Sequence, residues 1–398
     1  MGKRAERKVT IVGGGVAGLE ALIALRALAP ELTQLELMAD TAQFAYKPLA
    51  VAEPFGAGVA HRFDLTRIAR DHGARLHIAG LAGVDAGERH ITTWDGRDFE
   101  YDLLLVAIGA RAITAVPGSV SIKGPAYTSR FRTILRELDK RKITKVAFAV
   151  PAGTSWPLPL YELALLTAAH VAERRLRKVE LRLVTDESRP LGLFGSSASE
   201  AIRTLLEDGG VELLTDRVPV EAGDGELVTA PGPAVAADRV VSLPRIAGPS
   251  VAGLPHDRDG FIPVDGHARI TQLDGAYAAG DATTCPIKQG GVATQQADAA
   301  AEAIAAELGA GLVPQPFRPV LRGLLLTGGA PRYLRAEVAG GRGEHWPASE
   351  SALWWPPGKI AGRYLAPYLA TELQAIETPR QGIDVEVAVD TTPLATSP

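Results

Sequence analysis

An α/β fold is predicted, with two doubly wound parallel sheets and a small C-terminal unit, the first sheet being assembled from separated parts of the chain. Three observations point to it. The chain opens on a strand-like run that meets a glycine-rich turn and then a helix rich in Ala and Leu. Strand-like and helix-like stretches alternate again from about residue 145 to about residue 214. Two further apolar strands, near residues 105 and 277, each run into a glycine.

In "KVTIVGGGVAGLEALIALRALAP", Val9–Val12 reads as a fully buried parallel strand and Ala17–Leu28 as a helix. Gly13, Gly15 and Gly18 between them form GxGxxG, with Val16 and Ala17 opening the helix. The first glycine permits the tight turn, the second lets a pyrophosphate approach the backbone, and the third lets helix and strand pack closely. The helix N-terminus then presents free N–H groups to the anion. A Rossmann-like dinucleotide-binding unit is therefore expected. Its second strand, Gln34–Met38, should end near an acid for the ribose; the expected position holds Ala39, with Asp40 just beyond.

"YDLLLVAIGARA" predicts a buried strand ending at Gly109, where the chain turns close to the cofactor. Ala276–Ala279 predicts another, delivering Gly280 and Asp281, and a long helix then begins near Gly291–Val292. Asp281 suits the hydroxyls of a ribityl or phosphate group. The N–H groups at the later helix start suit an atom that gains negative charge on reduction.

The first dinucleotide-binding domain is accordingly discontinuous, at residues 1–118 and 256–316, with a second Rossmann-like, NAD(P)-type domain at 119–255. Strands Lys145–Val150, Glu180–Thr185 and Val211–Leu214 alternate there with helices Leu158–Ala172 and Ser197–Leu206. The loop "AVPAGTSWPLPLYE" replaces the second glycine cradle with Trp156 and with Pro157 and Pro159, which have no N–H to donate. Thr154 or Ser155 is expected to cap the helix that follows. Residues 317–398 form the C-terminal unit, with Arg318, Arg322, Arg332 and Arg335 as solvated positions around a hairpin turning at Gly328–Gly329. Pro367 is expected to interrupt its helix, Trp354 and Trp355 to pack in the core or an interface, the alternatives being a membrane-interface anchor or a lid over the cofactor, and the last residues to form a mobile tail.

The net charge of −4, with 6% aromatic residues, gives no reason to expect a nucleic-acid partner. The charged N-terminus lacks the apolar stretch of a secretory signal, and no run of about 18 apolar residues spans a membrane. A cytoplasmic location is expected, with peripheral contact at the inner face of the membrane left open, as is a homodimer. The single cysteine, Cys285, excludes an intramolecular dithiol relay and a zinc site built on cysteine pairs; no metal is expected. It reads as a small apolar filler or as a thiol near the cofactor.

Together and in this order, the three glycine-bearing stretches resemble the FAD domain of the pyridine nucleotide–disulfide oxidoreductase superfamily. "FAYKPLAVAEPFGAG" resembles the Y-x-[RK]-P-L loop of type II NADH dehydrogenases and sulfide:quinone oxidoreductases, and "CPIKQGGVATQQAD" the segment there that carries a Lys and "QQ" beside flavin and quinone. The P-x-G…P-x-x-E skeleton around Trp156 is similar to the sulfide:quinone branch. Two departures stand out. Trp156 takes the place of a cysteine six residues before Glu162, and nothing after Cys285 supplies a second one.

The resemblance implies non-covalent FAD and a small-molecule electron donor and acceptor, a quinone among the acceptors. It implies Lys288 as a charge-neutralising or quinone-binding group, the alternative being a solvated Lys at a helix start. Glu162 is either a proton carrier or an acid complementing a helix dipole. Tyr46 and Lys47 either line the substrate side of the ring or form an ordinary loop. An FAD-dependent oxidoreductase without a cysteine relay is the function expected. An NAD(P)H:acceptor oxidoreductase and a flavin-binding regulatory partner are the alternatives.

Overall fold

The structure, a computed structural model, describes residues 7–123, 126–337, 349, 351–354, 356 and 358–374. The expected mobile tail and Trp355 lie outside them. Seven helices are described: α1 (Val16–Leu28), α2 (Leu65–Asp71), α3 (Ala126–Asp139), α4 (Leu158–Glu173), α5 (Ser196–Asp208), α6 (Gly290–Leu308) and α7 (Leu365–Gln374).

The first sheet is fully parallel, in the order Ala276–Ala278, Leu103–Val106, Arg7–Val12, Thr33–Ala39, Ala74–Ile78. The chain winds outward from Arg7–Val12 in one direction and returns on its other side, so the strand order reverses beside this strand. Such a reversal leaves a crevice at the carboxyl ends of the strands, the usual place for a ligand in open α/β sheets. The second sheet is also parallel: Val120–Ser121, Arg239–Ser242, Lys145–Ala149, Glu180–Val184, Val211–Leu214.

Side chains alternate across each strand, and the two faces meet different layers. Val9 and Ile11 join the buried cluster under α1 and α6, while Val12 joins one with Leu81, Val84 and Ile91. Val146 and Phe148 likewise pack with α3, α4 and α5, while Ala147 and Ala149 meet Leu227 and Val235. Each sheet therefore has helices on one face and a three-stranded antiparallel unit on the other. Those units are Leu81–Asp85, His90–Thr93, Asp98–Glu100 and Val218–Gly223, Glu226–Ala230, Val235–Ala236. Sequence reading missed both, although Asp95-Gly96 and Asp224-Gly225 sit at their hairpin turns. Asp224 and Gly225 both have positive φ, which is what a tight hairpin turn demands. Arg111–Ile113 pairs antiparallel with Arg245–Ala247 between the two sheets.

Three local expectations need correction. No side chain caps α4: Pro157 is its N-cap, and the Thr154 hydroxyl donates to the Pro151 carbonyl instead. With Pro159 in the first turn, one of the amides that a cap would serve does not exist. Pro367 does not interrupt α7, because it lies in the first turn, where a missing N–H breaks no helical bond. Of the four arginines only Arg318 is exposed; Arg322, Arg332 and Arg335 are half-buried in the hairpin Val320–Leu325 and Arg332–Glu337. That hairpin packs on α4 and α6, which takes its face out of water.

Phe194 holds this packing together. It is fully buried, meets Trp156 edge-on at 5.8 Å, and abuts Gly323 of the hairpin so closely that a Cβ there would lie 2.8 Å from its ring. Phe194→Ala is expected to lower unfolding free energy by about 3–5 kcal/mol, read from the denaturant midpoint at unchanged slope.

Candidate functional site

Three adjacent parallel strands deliver their C-terminal residues to one crevice: Gly13 after Arg7–Val12, Gly109 after Leu103–Val106, and Gly280 after Ala276–Ala278. Gly13 has φ +126°, and a side chain there would overlap the Ala107 carbonyl. A side chain at Gly18 would overlap the carbonyl of Gly13 itself. Gly15 differs: its backbone is extended and nothing lies within 4 Å of where its Cβ would be. Gly109, at φ +71°, also faces open space. The first and third motif glycines thus serve close packing, and the second keeps room at the N-terminus of α1, beside Val16 and Ala17.

Ala39 is the last residue of its strand and is buried, whereas Asp40, immediately after it, is exposed. Of the two, Asp40 is the one free to meet a ligand. Gly280 donates its N–H to Gln296 Oε1 at 2.8 Å, which orients the short helical turn carrying Asp281. Burial pushes the Asp281 carboxyl above its ordinary value, and Lys288 and Lys47 pull it partly back. The two lysines differ in setting. Lys47 is exposed, while Lys288 is half-buried with Nζ donating to the Thr283 carbonyl, 3.8 Å from the Phe261 ring centre. Burial lowers the Lys288 pKa, with Asp281, Cys285 and Asp257 opposing. Lys288 is therefore not a simply solvated residue.

Burial also pushes the Cys285 thiol up, so it is held protonated; its Sγ lies 3.9 Å from the Ile287 carbonyl. At the start of α6 the Gln289 side chain accepts from Val292 N at 2.8 Å. Val292's amide is thereby consumed, contrary to the expectation that it would face a ligand. Gly290 and Gly291 keep amides with no hydrogen bond among the described residues.

Glu162 is 1% exposed on α4. Its Oε1 accepts from Leu326 N at 2.9 Å and from Lys359 Nζ, and its Oε2 is buried with no hydrogen-bond partner among the described residues. It is not an acid of the first helical turn exposed to the dipole. Burial raises its pKa, and Lys359 opposes this. Tyr127 also has a buried hydroxyl without a partner among the described residues and feels the Glu162 charge. Tyr46 is buried; its Oη accepts from Ile360 N at 3.2 Å, and burial pushes its pKa to about 12. Trp354 packs on Tyr333 at 5.1 Å and donates to the Gly358 carbonyl.

Lys359, Ile360, Tyr127 and Gln289 were missed in the sequence. Lys359 and Ile360 lie in "PPGKIAG", which has no periodicity to mark it, and come to Glu162 and Tyr46 only through the tertiary fold. At the corresponding end of the second sheet, Gly153 N lies 3.4 Å from Asp186 Oδ2, and Tyr161 and Thr185 hydroxyls bind Glu187. No glycine cradle forms there.

The residue pattern of the pyridine nucleotide-disulphide oxidoreductase family matches residues 6–148 and 161–301. The chain belongs to this family. A sulfide-quinone reductase of Aquifex aeolicus is 29% identical over 212 residues, 51% of this chain and 48% of that protein, so the match spans about half of the relative. An NADH dehydrogenase-like protein of Mycobacterium tuberculosis is 27% identical, covering 69% of this chain and 72% of its own length. Among solved structures, the sulfide:quinone oxidoreductase of Aquifex aeolicus superposes with a TM-score of 0.78 over 93% of this chain and 90% of that one, at 20% identity.

FAD is the cofactor of this family, and the crevice fits it. Gly15 leaves room for a pyrophosphate, Gly109 opens the wall beside it, and two amides at the start of α6 await an acceptor. Gly15→Ala is expected to fold, keep the melting temperature of the apoprotein, and lose FAD affinity by tenfold or more in a fluorescence titration. Gly18→Ala is expected to fail at the folding stage instead, since its methyl meets backbone.

Proposed function

We propose that the chain is an FAD-dependent oxidoreductase passing electrons from a small donor to a quinone-like or other small acceptor without a cysteine relay. One observation carries the reading: the single cysteine is half-buried and held as a thiol, on a fold that follows a sulfide:quinone oxidoreductase along 93% of the chain. The residues at 1–118 with 256–316 form the flavin-binding part, those at 119–255 the second dinucleotide-type part, and those from 317 onward the C-terminal unit.

FAD supplies reversible two-electron chemistry when bound. The chain's own groups bind and orient it. Backbone around Gly13, Gly15, Val16 and Gly18 accommodates the pyrophosphate at the positive end of α1, and Asp40 takes a ribose hydroxyl. Asp281 takes hydroxyls of the ribityl chain. The Gly291 amide and Lys288 stabilise negative charge, in a setting where partial burial strengthens their field. Lys47 lines the open side, while the buried Tyr46 holds Ile360.

Glu162 holds the proton for the acceptor. Its raised pKa favours the protonated form, Lys359 steadies Oε1, and Oε2 is left to exchange the proton. As a group with raised pKa, Glu162 loses this proton as pH rises through its folded value, so acceptor reduction falls on the alkaline side. The NADH dehydrogenase-like relative supports a second reading, in which NAD(P)H is the donor.

Anaerobic stopped-flow mixing with sulfide, NADH and NADPH side by side separates the two. Bleaching of oxidised flavin by either nicotinamide within seconds supports the second reading, and its absence removes that donor. Protein purified without a flavin spectrum would overturn both. Glu162→Gln is expected to slow reoxidation by a soluble quinone by about 10²-fold or more with the flavin spectrum unchanged. Cys285→Ser is expected to leave turnover as it is, and a loss would sink the relay-free mechanism.

A further inference from the structure

Three buried groups on separate elements grip the segment from Gly358 to Leu365. Glu162 on α4 holds Lys359 Nζ, Tyr46 holds Ile360 N, and Glu20 on α1 holds two amides at once. Glu20 is fully buried; Oε1 accepts from Tyr364 N at 2.7 Å and Oε2 from Leu365 N at 2.9 Å, at the N-terminus of α7. Gly362 passes so close that any side chain there would overlap Glu20 Oε2. Ile360 meanwhile covers Gly290, whose Cβ would lie 2.9 Å from Ile360 Cδ1. The segment thus lies across the first turns of α6, beside the crevice.

Glu20 has a second carboxyl against it. Asp298 on α6 faces it within hydrogen-bonding reach, and Asp298 Oδ1 is buried with no hydrogen-bond partner among the described residues. Glu20 is fully buried and Asp298 half-buried with its Oδ1 out of water, so two charges side by side are disfavoured and one proton between them is the stable arrangement. A charged Glu20 is the better acceptor for the two α7 amides, which places the proton on Asp298.

We propose that the proton shared by Glu20 and Asp298 docks the C-terminal segment, making Asp298 a positioning residue that keeps Lys359 on Glu162. The consequence for turnover rests on the role of Glu162 proposed above; the docking itself does not. Burial pushes Asp298 up to about 9, Glu20 adds to this, Arg363 on the segment opposes it, and Glu302 on α6 adds a little. A carboxyl whose pKa is raised on docking favours the docked state at low pH. That advantage declines by up to about tenfold per pH unit as pH approaches 9 and levels off above it.

One other group around the segment shares this sign: burial raises the Glu162 pKa, with Lys359 opposing, so the comparison is made in a Glu162→Gln background that removes its contribution. Tyr46 and Tyr368 titrate near 12, beyond the window. Arg363 pairs with Glu302 at 3.5 Å.

Hydrogen–deuterium exchange of the flavin-loaded protein, followed on a peptide covering residues 358–374 and corrected for intrinsic rates, tests the idea between about pH 6 and pH 10. In the Glu162→Gln parent, protection of this peptide is expected to fall with pH and level off above about 9. Asp298→Asn, which donates to Glu20 without a proton to lose, should remain protected with no such slope. Glu20→Gln should lose protection at every pH. A flat profile in the parent, or the same slope in Asp298→Asn, overturns the proposal. Exchange reports docking without turnover, so a failed role for Glu162 would leave this result standing.

Discussion

The contact between the backbones of Gly13 and Gly18 is the constraint on which the crevice depends. Each position meets carbonyl oxygen where a Cβ would sit, so α1 can lie against its sheet only with glycine at both. That closeness aims the helix N-terminus at the strand ends and brings Ala17 within 3.0 Å of the Cβ position of Gly280. Two stretches more than 260 residues apart in sequence then share one wall. The packing of α1 on α6, small residues against small residues, follows from the same approach.

Within the crevice, partial burial governs the charges. Asp281 is pushed toward its neutral form and Lys288 toward its own, while each stabilises the other's charge. Such a pair responds strongly to any charge placed between or beside it, because a low local dielectric weakens screening. Cys285 sits in the same environment and is held as a thiol, a poor nucleophile.

The C-terminal segment carries the least expected chemistry. Glu162 with Lys359, and Glu20 with Asp298, place ionisable groups where desolvation is costly. A buried ion pair is weak evidence of stability, since apolar residues of the same shape often do as well. Here each buried carboxylate also satisfies backbone amides of Leu326, Tyr364 and Leu365, so it fixes where the segment lies. The geometry it specifies is the more direct reason for these groups than net stability.

Most of the framework was legible in the sequence. The strand–glycine–helix opening, the glycine endings near residues 109 and 280, and the alternation in the middle of the chain are local patterns with local physical causes. The antiparallel layers were overlooked despite their Asp-Gly turns, because short strands with one polar face carry little periodic signal. Glu20, a charge inside an apolar helix, was passed over, since nothing nearby in sequence marks its role. What the sequence by itself determined is the pair of parallel sheets, the phosphate-sized gap at Gly15 and the lack of a second thiol, since these depend on residue type and short spacing. Only the tertiary structure decided which distant groups meet: Lys359 with Glu162, Ile360 with Tyr46, Asp298 with Glu20. The first two span 197 and 314 residues, and the amides of Tyr364 and Leu365 reach Glu20 across 344 and 345; partners that far apart are set by how the elements pack.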